Sequence, residues 1–310
     1  MTADIEVLEA TSPGPPGEVG AATGIGLATL SRRGVVLDAW FPAPRMVGRC
    51  DDDTPDVPAA ARLGDVVEIR SSIDDLARPP VDACDVYLRL HLLSHRLITP
   101  NQANLTGIDE ILADVVWTSL GPVAVEDYPA VRTSLRARGP VTVHGVGKIP
   151  RMVDYAVPSG VRIADGARVQ LGAHLAPGTT VMPEGFVDYN AGTLGAAIIE
   201  GQVATGVVIG DGSDMGGGSG GVVVSIGRRC LIGANAEVEI SLGDDCVVDS
   251  GLHVAADTLL TREDGSTVAA RAVAGADNLH LRRDSVTGAV EVRRWDGAGT
   301  RLNAELLAND

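Results

Sequence analysis

Aliphatic residues recur every six positions through the middle of the chain: Val157, Ile163, Val169, Leu175, Val181 and Val187. Four positions after each stands a small or medium residue: Val161, Ala167, Ala173, Thr179, Gly185 and Ala191. The register returns as Ile226, Ile232 and Val238, and again as Leu242, Val248, Val254 and Leu260. A period of six matches neither an amphipathic helix nor a two-sided strand. It predicts a parallel β-helix of hexapeptide repeats, in which each hexad forms one flat side of a coil. At about eighteen residues per three-sided coil, residues 151–262 hold about five to six coils. Successive coils stack ~4.8 Å apart through backbone hydrogen bonds. The hexapeptide class winds left-handed, against the usual crossover rule.

The register breaks over residues 192–221, where glycine concentrates, and slips again at 239–243. Such interruptions are expected where loops leave the solenoid, and are the first places to look for a site. The flanks carry other patterns. Residues 22–42, with GIGLATL, SRRG and VVLDAWF, read as a hairpin, and 44–64 as a loop with a solvated charge run. Val86, Leu90, Leu93 and Leu97 stand at helical spacing, with Pro100 and Asn101 after them. IDEILADVVWTSL (108–120) suits a second helix or a helix–strand pair, and DYPAVRTSLRARG (127–139) a short amphipathic helix. The fold class expected is mainly β. An N-terminal tail (1–21) precedes an α/β domain (22–150) and the β-helix (151–262). LHLRRDSVTGAVEVRRW adds a small C-terminal β cap (263–310), of the kind that covers a solenoid's open end.

Composition agrees with a narrow core. Aromatics are 3% while Gly reaches 38 residues; a thin coil has room for Val, Ile, Leu and Ala but little for rings. A net charge of −16 argues against nucleic acid and anionic membranes as partners, though a local Arg cluster can still hold a phosphate. No apolar run reaches the ~20 residues of a membrane span, and the acidic, Pro/Gly-rich start does not read as a signal peptide. A cytoplasmic protein is expected. Cys50, Cys84, Cys230 and Cys246 form no C-x-x-C pair, and the last two occupy small inward slots.

The stretch PRMVDYAVPSGVRIADGARVQLGAHLAPGTTVMPEGFVDYNAGTLGAAIIEGQVATGVVIGDGSDMGGG resembles the actinobacterial form of tetrahydrodipicolinate N-succinyltransferase. SIGRRCLIGAN, ISLGDDCVVDSGL, NLHLRRDSVTGAVEV, YLRLHLLSHRL and GIGLATL extend the match. The resemblance implies a homotrimer of left-handed β-helices with active sites between neighbouring subunits. It implies transfer of succinyl from succinyl-CoA to the amine of 2-amino-6-oxopimelate, the open form of tetrahydrodipicolinate, in diaminopimelate and lysine synthesis.

Residue by residue, Glu200 in GAAIIEG matches the family's catalytic carboxylate. It suits a general base toward the ammonium group; a covalent acyl-anhydride role stands beside that. Gly217 and Gly220 match ligand contacts within a glycine stretch able to offer backbone N–H donors. Ala234 matches a backbone contact to the CoA arm, and Asp249, Ser250 and Asp257 match further ligand contacts. Arg282, Arg283, Asp284 and Ser285 fall on the CoA-binding segment, where a guanidinium fork suits a phosphate. In an alternating strand the two arginines face opposite sides, so one of them is expected to reach it. Glu184 matches a magnesium position near the trimer axis.

The chain also departs from the pattern. The run after GGG is short, Gln202 stands for an arginine, Ala269 for a lysine, Ala167 for an aspartate and Asp188 for an asparagine. Glu237 and Glu239 replace small residues near the cofactor groove. These changes share a sign, and leave two alternatives to the leading reading. One is a non-catalytic trimeric binding subunit; the other is an acyltransferase for a less anionic amine.

Overall fold

A computed structural model describes residues 20–47, 65–137, 139–219 and 223–297. Most of the expected N-terminal tail, Cys50, the charge run at 51–56 and Gly220 lie outside these residues. The chain divides into two compact units. One runs to Val157 and takes in Gln170–Gly172; the other holds Pro158–Val169 and Ala173 onward.

In the first unit, strands β1 (Ala22–Leu30) and β2 (Val36–Trp40) form the hairpin read from the sequence. Ser31 Oγ accepts from the N–H groups of Arg33 and Val35 and ties the turn. β3 (Arg45–Met46) and β4 (Asp65–Ile73) also pair with β1. Helix α1 (Ala83–Ser94) starts at Asp82, whose carboxylate caps the Asp85 N–H at 2.8 Å. Every residue from Asp85 to Ser94 is buried. The helix therefore has no wet face, and its polar residues are paired inside. Arg89 meets the Asp85 carboxylate at 2.7 Å and the carbonyls of Leu76 and Asn104. The stretch at 108–120 resolves as a helix–strand pair, α2 (Ile108–Ile111) and β5 (Val115–Thr118). β5 pairs with β6 (Gly121–Ala124) and β7 (Val143–Gly147), and α3 (Tyr128–Ala137) lies between those two in sequence.

The second unit is the hexapeptide β-helix. Its first face stacks β8 (Arg162–Ile163), β9 (Thr180–Val181), β12 (Ala197–Ile199), β15 (Ser213–Met215), β18 (Leu231–Ile232) and β20 (Val247–Val248). The second face stacks β10 (Phe186–Val187), β13 (Gln202–Val203), β16 (Gly218–Ser219), β19 (Glu237–Val238) and β21 (His253–Val254). The third holds β11 (Gly192–Thr193), β14 (Val208–Ile209) and β17 (Ser225–Ile226). All these neighbours pair in parallel. Val181, Ile199, Met215, Ile232 and Val248 point inward and are fully buried, as are Cys230 and Cys246. The corners use the left-handed backbone region at Asn190, Asn235 and Asp245, which asparagine and aspartate tolerate better than most side chains.

The reading of 192–221 as loops leaving the solenoid is corrected. Strands follow one another through the described part of this stretch, and what changes is the length of the coil. Ile163, Val181 and Ile199 stack eighteen residues apart, whereas Ile199 and Met215 stack sixteen apart. The corner between the first and second faces gives up two residues, passing from Ile199 to Val203 in four steps. The slip near 239–243 is the same device at the next corner, from Val238 to the bridge at Leu242.

Past Val254, β22 (Leu259–Thr261) and β23 (Thr267–Ala269) form an antiparallel hairpin. β24 (Leu279–Arg283) adds to the first face beside β20, and β25 (Val290–Arg294) turns back along it. The last coil is thus closed by strands of its own chain, which pair the backbone groups an open end would leave exposed.

Candidate active site

The corner between the first and second faces carries most of the candidate residues in one vertical column. Glu184 lies in its upper coil, between β9 and β10. Glu200 and Gly201 form the next corner, Gly216 and Gly217 the one after it, then Ala234, then Asp249 and Ser250. Backbone bonds join each step. Phe186 N–H donates to the Gly201 carbonyl (3.0 Å), and the N–H groups of Glu200 and Gly201 both reach the Met215 carbonyl (2.9 and 2.8 Å). Gly217 N–H reaches Ile232, Gly251 N–H reaches Ala234, and Asp249 N–H reaches Leu281 on β24. Arg282 and Arg283 therefore continue the same column below Asp249 and Ser250. Four coil steps separate Glu200 from the arginines, about 19 Å at the spacing of neighbouring strands.

The corner is tight because it is built on glycine. A Cβ on Gly201 would run into the Gly217 carbonyl, and one on Gly217 into the Ala236 carbonyl. Gly217 is itself buried, with its N–H spent on the coil below. The glycine stretch thus works through close backbone stacking, and Gly217 does not act as a free donor. Ala234 and Ser250 are exposed, and among the described residues their N–H groups meet no acceptor. Gly216 and Gly233 leave these N–H groups uncovered from the coil above. They are donors suited to an extended, amide-bearing ligand.

The charged residues divide sharply. Glu200 is exposed at its corner. Asp249 receives His280 Nε2 at 2.8 Å, and His280 packs edge-on against Trp295 at 5.2 Å. Arg282 leans toward Glu291 (3.5 Å), which is held more closely by Arg293 (2.9 Å). Arg283 faces the other way, as the alternation expects, and its Nη1 donates to the Gly288 carbonyl (3.1 Å) in the β24–β25 turn. Asp284 builds that turn. Its Oδ1 accepts from the N–H groups of Val286 and Thr287 and from the Thr287 hydroxyl, at 2.7 to 2.9 Å. The Thr287 bonds, foremost among these, hold its carboxyl below the usual carboxylate range. Ser285 is exposed at the tip of the same turn.

One candidate stands apart from the column, and another is in it but engaged elsewhere. Asp257 is exposed in the corner after β21, one side of the coil away. Glu184 is in the column, but its side chain is 85% exposed and pairs with Arg168 at 3.6 Å. Among the described residues no three His, Cys, Asp or Glu side chains gather to hold a metal ion. One carboxylate already facing a guanidinium does not make a magnesium site within a single chain.

Sequence reasoning passed over His280 and Asp214. His280 carries a signal only once β24 is known to lie beside β20. Asp214 sits on β15, where a hexad's outward position usually carries no chemistry. Beside the column, on the second face, His253 lies between Glu237 (3.0 Å) and Glu239 (3.7 Å). Gln202 is exposed on the same face. No helix among the described residues is long and apolar enough to cross a membrane.

Comparisons with known proteins bear on this geometry. Residues 112–151 match the family model "Tetrahydrodipicolinate N-succinyltransferase middle", and residues 223–256 match "Hexapeptide repeat of succinyl-transferase". A 2,3,4,5-tetrahydropyridine-2,6-dicarboxylate N-succinyltransferase of Salinispora tropica is 51% identical over 315 residues, covering 94% of this chain and 98% of that protein. A protein of the same name from Pseudomonas aeruginosa is 47% identical over 246 residues, covering 74% and 71%. A crystal structure from Campylobacter jejuni, described as a 2,3,4,5-tetrahydropyridine-2-carboxylate N-succinyltransferase, superposes with a TM-score of 0.77. It covers 91% of this chain and 94% of that one, at 24% identity, and so speaks for the fold.

Proposed function

The chain belongs to the tetrahydrodipicolinate N-succinyltransferase family, and from that premise we infer how its corner column works. The enzyme moves succinyl from succinyl-CoA to the amine of the open form of tetrahydrodipicolinate, in diaminopimelate and lysine synthesis. The observation that carries our reading of the site is the column itself. It has an exposed carboxylate at one end, arginines about 19 Å away at the other, and N–H donors between them. Such a groove suits an extended ligand with a thioester at one end and phosphates at the other.

Attack by an amine on a thioester needs a deprotonated nitrogen, a stabilised oxyanion and alignment of the two substrates. We assign Glu200 the first task, as general base toward the ammonium group. Its exposed carboxylate stands open to an incoming cation. Ala234 and Ser250 are assigned to the CoA arm through their N–H groups, and Arg282 to the phosphates. Arg283, Asp284 and Ser285 shape the turn that presents Arg282. Gly201 and Gly217 set the height of the floor under Glu200.

The active assembly we propose is a homotrimer, with each column completed by a neighbouring subunit. Glu184 meets its symmetry mates in that assembly; magnesium there is a structural proposal, and no catalytic step is assigned to it. Reduced thiols at Cys84, Cys230 and Cys246 and a CoA donor suit a cytoplasmic enzyme. Glu237 and Glu239 beside the column favour a second possibility, an acceptor less anionic than a dicarboxylate. Thiol release from succinyl-CoA, measured with 2-amino-6-oxopimelate and with monocarboxylate amines, decides between them. The dicarboxylate is expected to give the higher kcat/KM; a preference for the monocarboxylates would overturn that acceptor.

A further inference from the structure

Asp214 is the drier of two carboxylates that adjacent coils bring to one edge of the column. It stands on β15, in register with Ile198 above and Leu231 below, on the outward side of the first face. Its side chain is half-buried between these aliphatic neighbours. Among the described residues no donor hydrogen-bonds to it and no cation pairs with it. Glu200 lies on the coil above, and its N–H binds the carbonyl of Met215, the residue after Asp214.

The elements packed against Asp214 bring little other charge. Thr180 on β9 and Ile198 on β12 are neutral, as are Leu231 on β18 and Val247 on β20. Arg229, just before β18, is held by Asp245 at 2.5 Å and faces Asp244 at 3.8 Å. His280, the next outward residue beyond Val247, is taken by Asp249. Glu200 is thus the charge that Asp214 feels. Burial first, and then the Glu200 carboxylate, lift the Asp214 carboxyl to about 6. Paired carboxylates in unequal surroundings are the usual basis for dividing proton work.

We propose that Asp214 is a positioning residue for the transfer, acting through Glu200 as the holder of the proton that Glu200 removes. The inference rests on the reading of Glu200 given above. The acceptor's ammonium N–H bond breaks and its proton passes to Glu200. It then moves to Asp214, which restores the Glu200 carboxylate. The nitrogen lone pair forms the new C–N bond, the C–S bond breaks, and the electron pair leaves on sulfur. The proton held at Asp214 reaches that thiolate through water. The second proton lost by nitrogen passes to Glu200 and on to solvent. No oxidant or further reactant is needed.

Two measurements test this. Carboxyl 13C NMR of the full chain labelled at aspartate follows Asp214, assigned by its loss in Asp214→Asn. A resonance titrating near pH 6 is expected, moving to lower pH in Glu200→Gln. A resonance titrating below pH 5, or one indifferent to Glu200→Gln, would overturn the pairing. The second measurement is the pH profile of kcat/KM. The acid limb of the wild type is expected to shift in Asp214→Asn, with kcat down about tenfold or more and KM for succinyl-CoA little changed. Asp214→Glu is expected to restore the limb, which a purely structural role would not do. Wild type without thiol release overturns the reading of the site. Normal wild-type turnover with an unchanged Asp214→Asn profile overturns the Asp214 inference alone.

Discussion

A single side chain in this site is defined by how much water it keeps. Glu200 and Asp214 are both carboxylates one coil apart, yet one is wet and the other half dry. Asp284 illustrates a third case, a carboxylate consumed by its own turn. Because its folded-state carboxyl is depressed, its contribution to stability is present at neutral pH. It is lost as pH falls through the folded value. Asp284→Ala is therefore expected to lower the unfolding temperature at pH 7, with an effect that shrinks as the pH is lowered into the acid range. Titration calorimetry of the same variant should show weaker succinyl-CoA binding, because the turn that holds Arg283 is loosened. Family motifs made Asp284 and Glu200 legible as candidates. They could not reveal that Asp284 is tied to Val286 and Thr287, or that Asp214 shares an edge with Glu200. Those facts depend on which coil lies above which.

At the scale of elements, two devices matter: the shortened corner and the buried helix. The hexad pattern was readable wherever coils are eighteen residues long. It failed at 192–221 because a coil of sixteen changes the phase of the repeat without breaking the stack. The corner tolerates this only because Gly201 and Gly217 let backbones touch. Gly201→Ala is expected to cost about 1–3 kcal/mol by overpacking and to displace Glu200. Urea unfolding and kcat of the purified variant check both effects; an unchanged unfolding midpoint would refute the corner's tightness.

In α1, His91 is fully enclosed. Its Nδ1 meets the Tyr87 carbonyl at 2.8 Å and its Nε2 faces the Phe41 N–H at 3.3 Å. That geometry fixes a neutral ring, and burial lowers its pKa to about 3. A histidine lowered in the folded state takes up protons first when unfolded. Stability is therefore complete above about pH 6.5 and falls as pH drops toward 3. By pH 4.5 the loss is on the order of 2–3 kcal/mol. His91→Gln, which still offers an acceptor to Phe41, should start less stable at pH 7 and lose less between pH 7 and 4.5. Urea unfolding at the two pH values measures it. The spacing of Val86, Leu90, Leu93 and Leu97 suggested a helix; only packing reveals that Arg89 and His91 are satisfied inside.

At the scale of the whole molecule, the β-helix brings residues far apart in sequence into one line. Glu200, Gly217, Ala234 and Ser250 stand on successive coils because the coil length nearly matches their separation, and β24 brings Arg282 beneath them. The family resemblance named the column's members; the stacking of the coils supplies their order. For the proposed homotrimer, light scattering should give about three times the 31.9 kDa of one chain. A monomer retaining full activity would refute the shared groove.

The most direct test of the central claim compares wild type with Glu200→Ala. Thiol release from succinyl-CoA with 2-amino-6-oxopimelate is followed in both, with CoA affinity measured in parallel. The account predicts a fall in kcat of about 10²-fold or more, with CoA affinity unchanged. Equal turnover in the two proteins would contradict it, and would move the chemistry away from this corner of the coil.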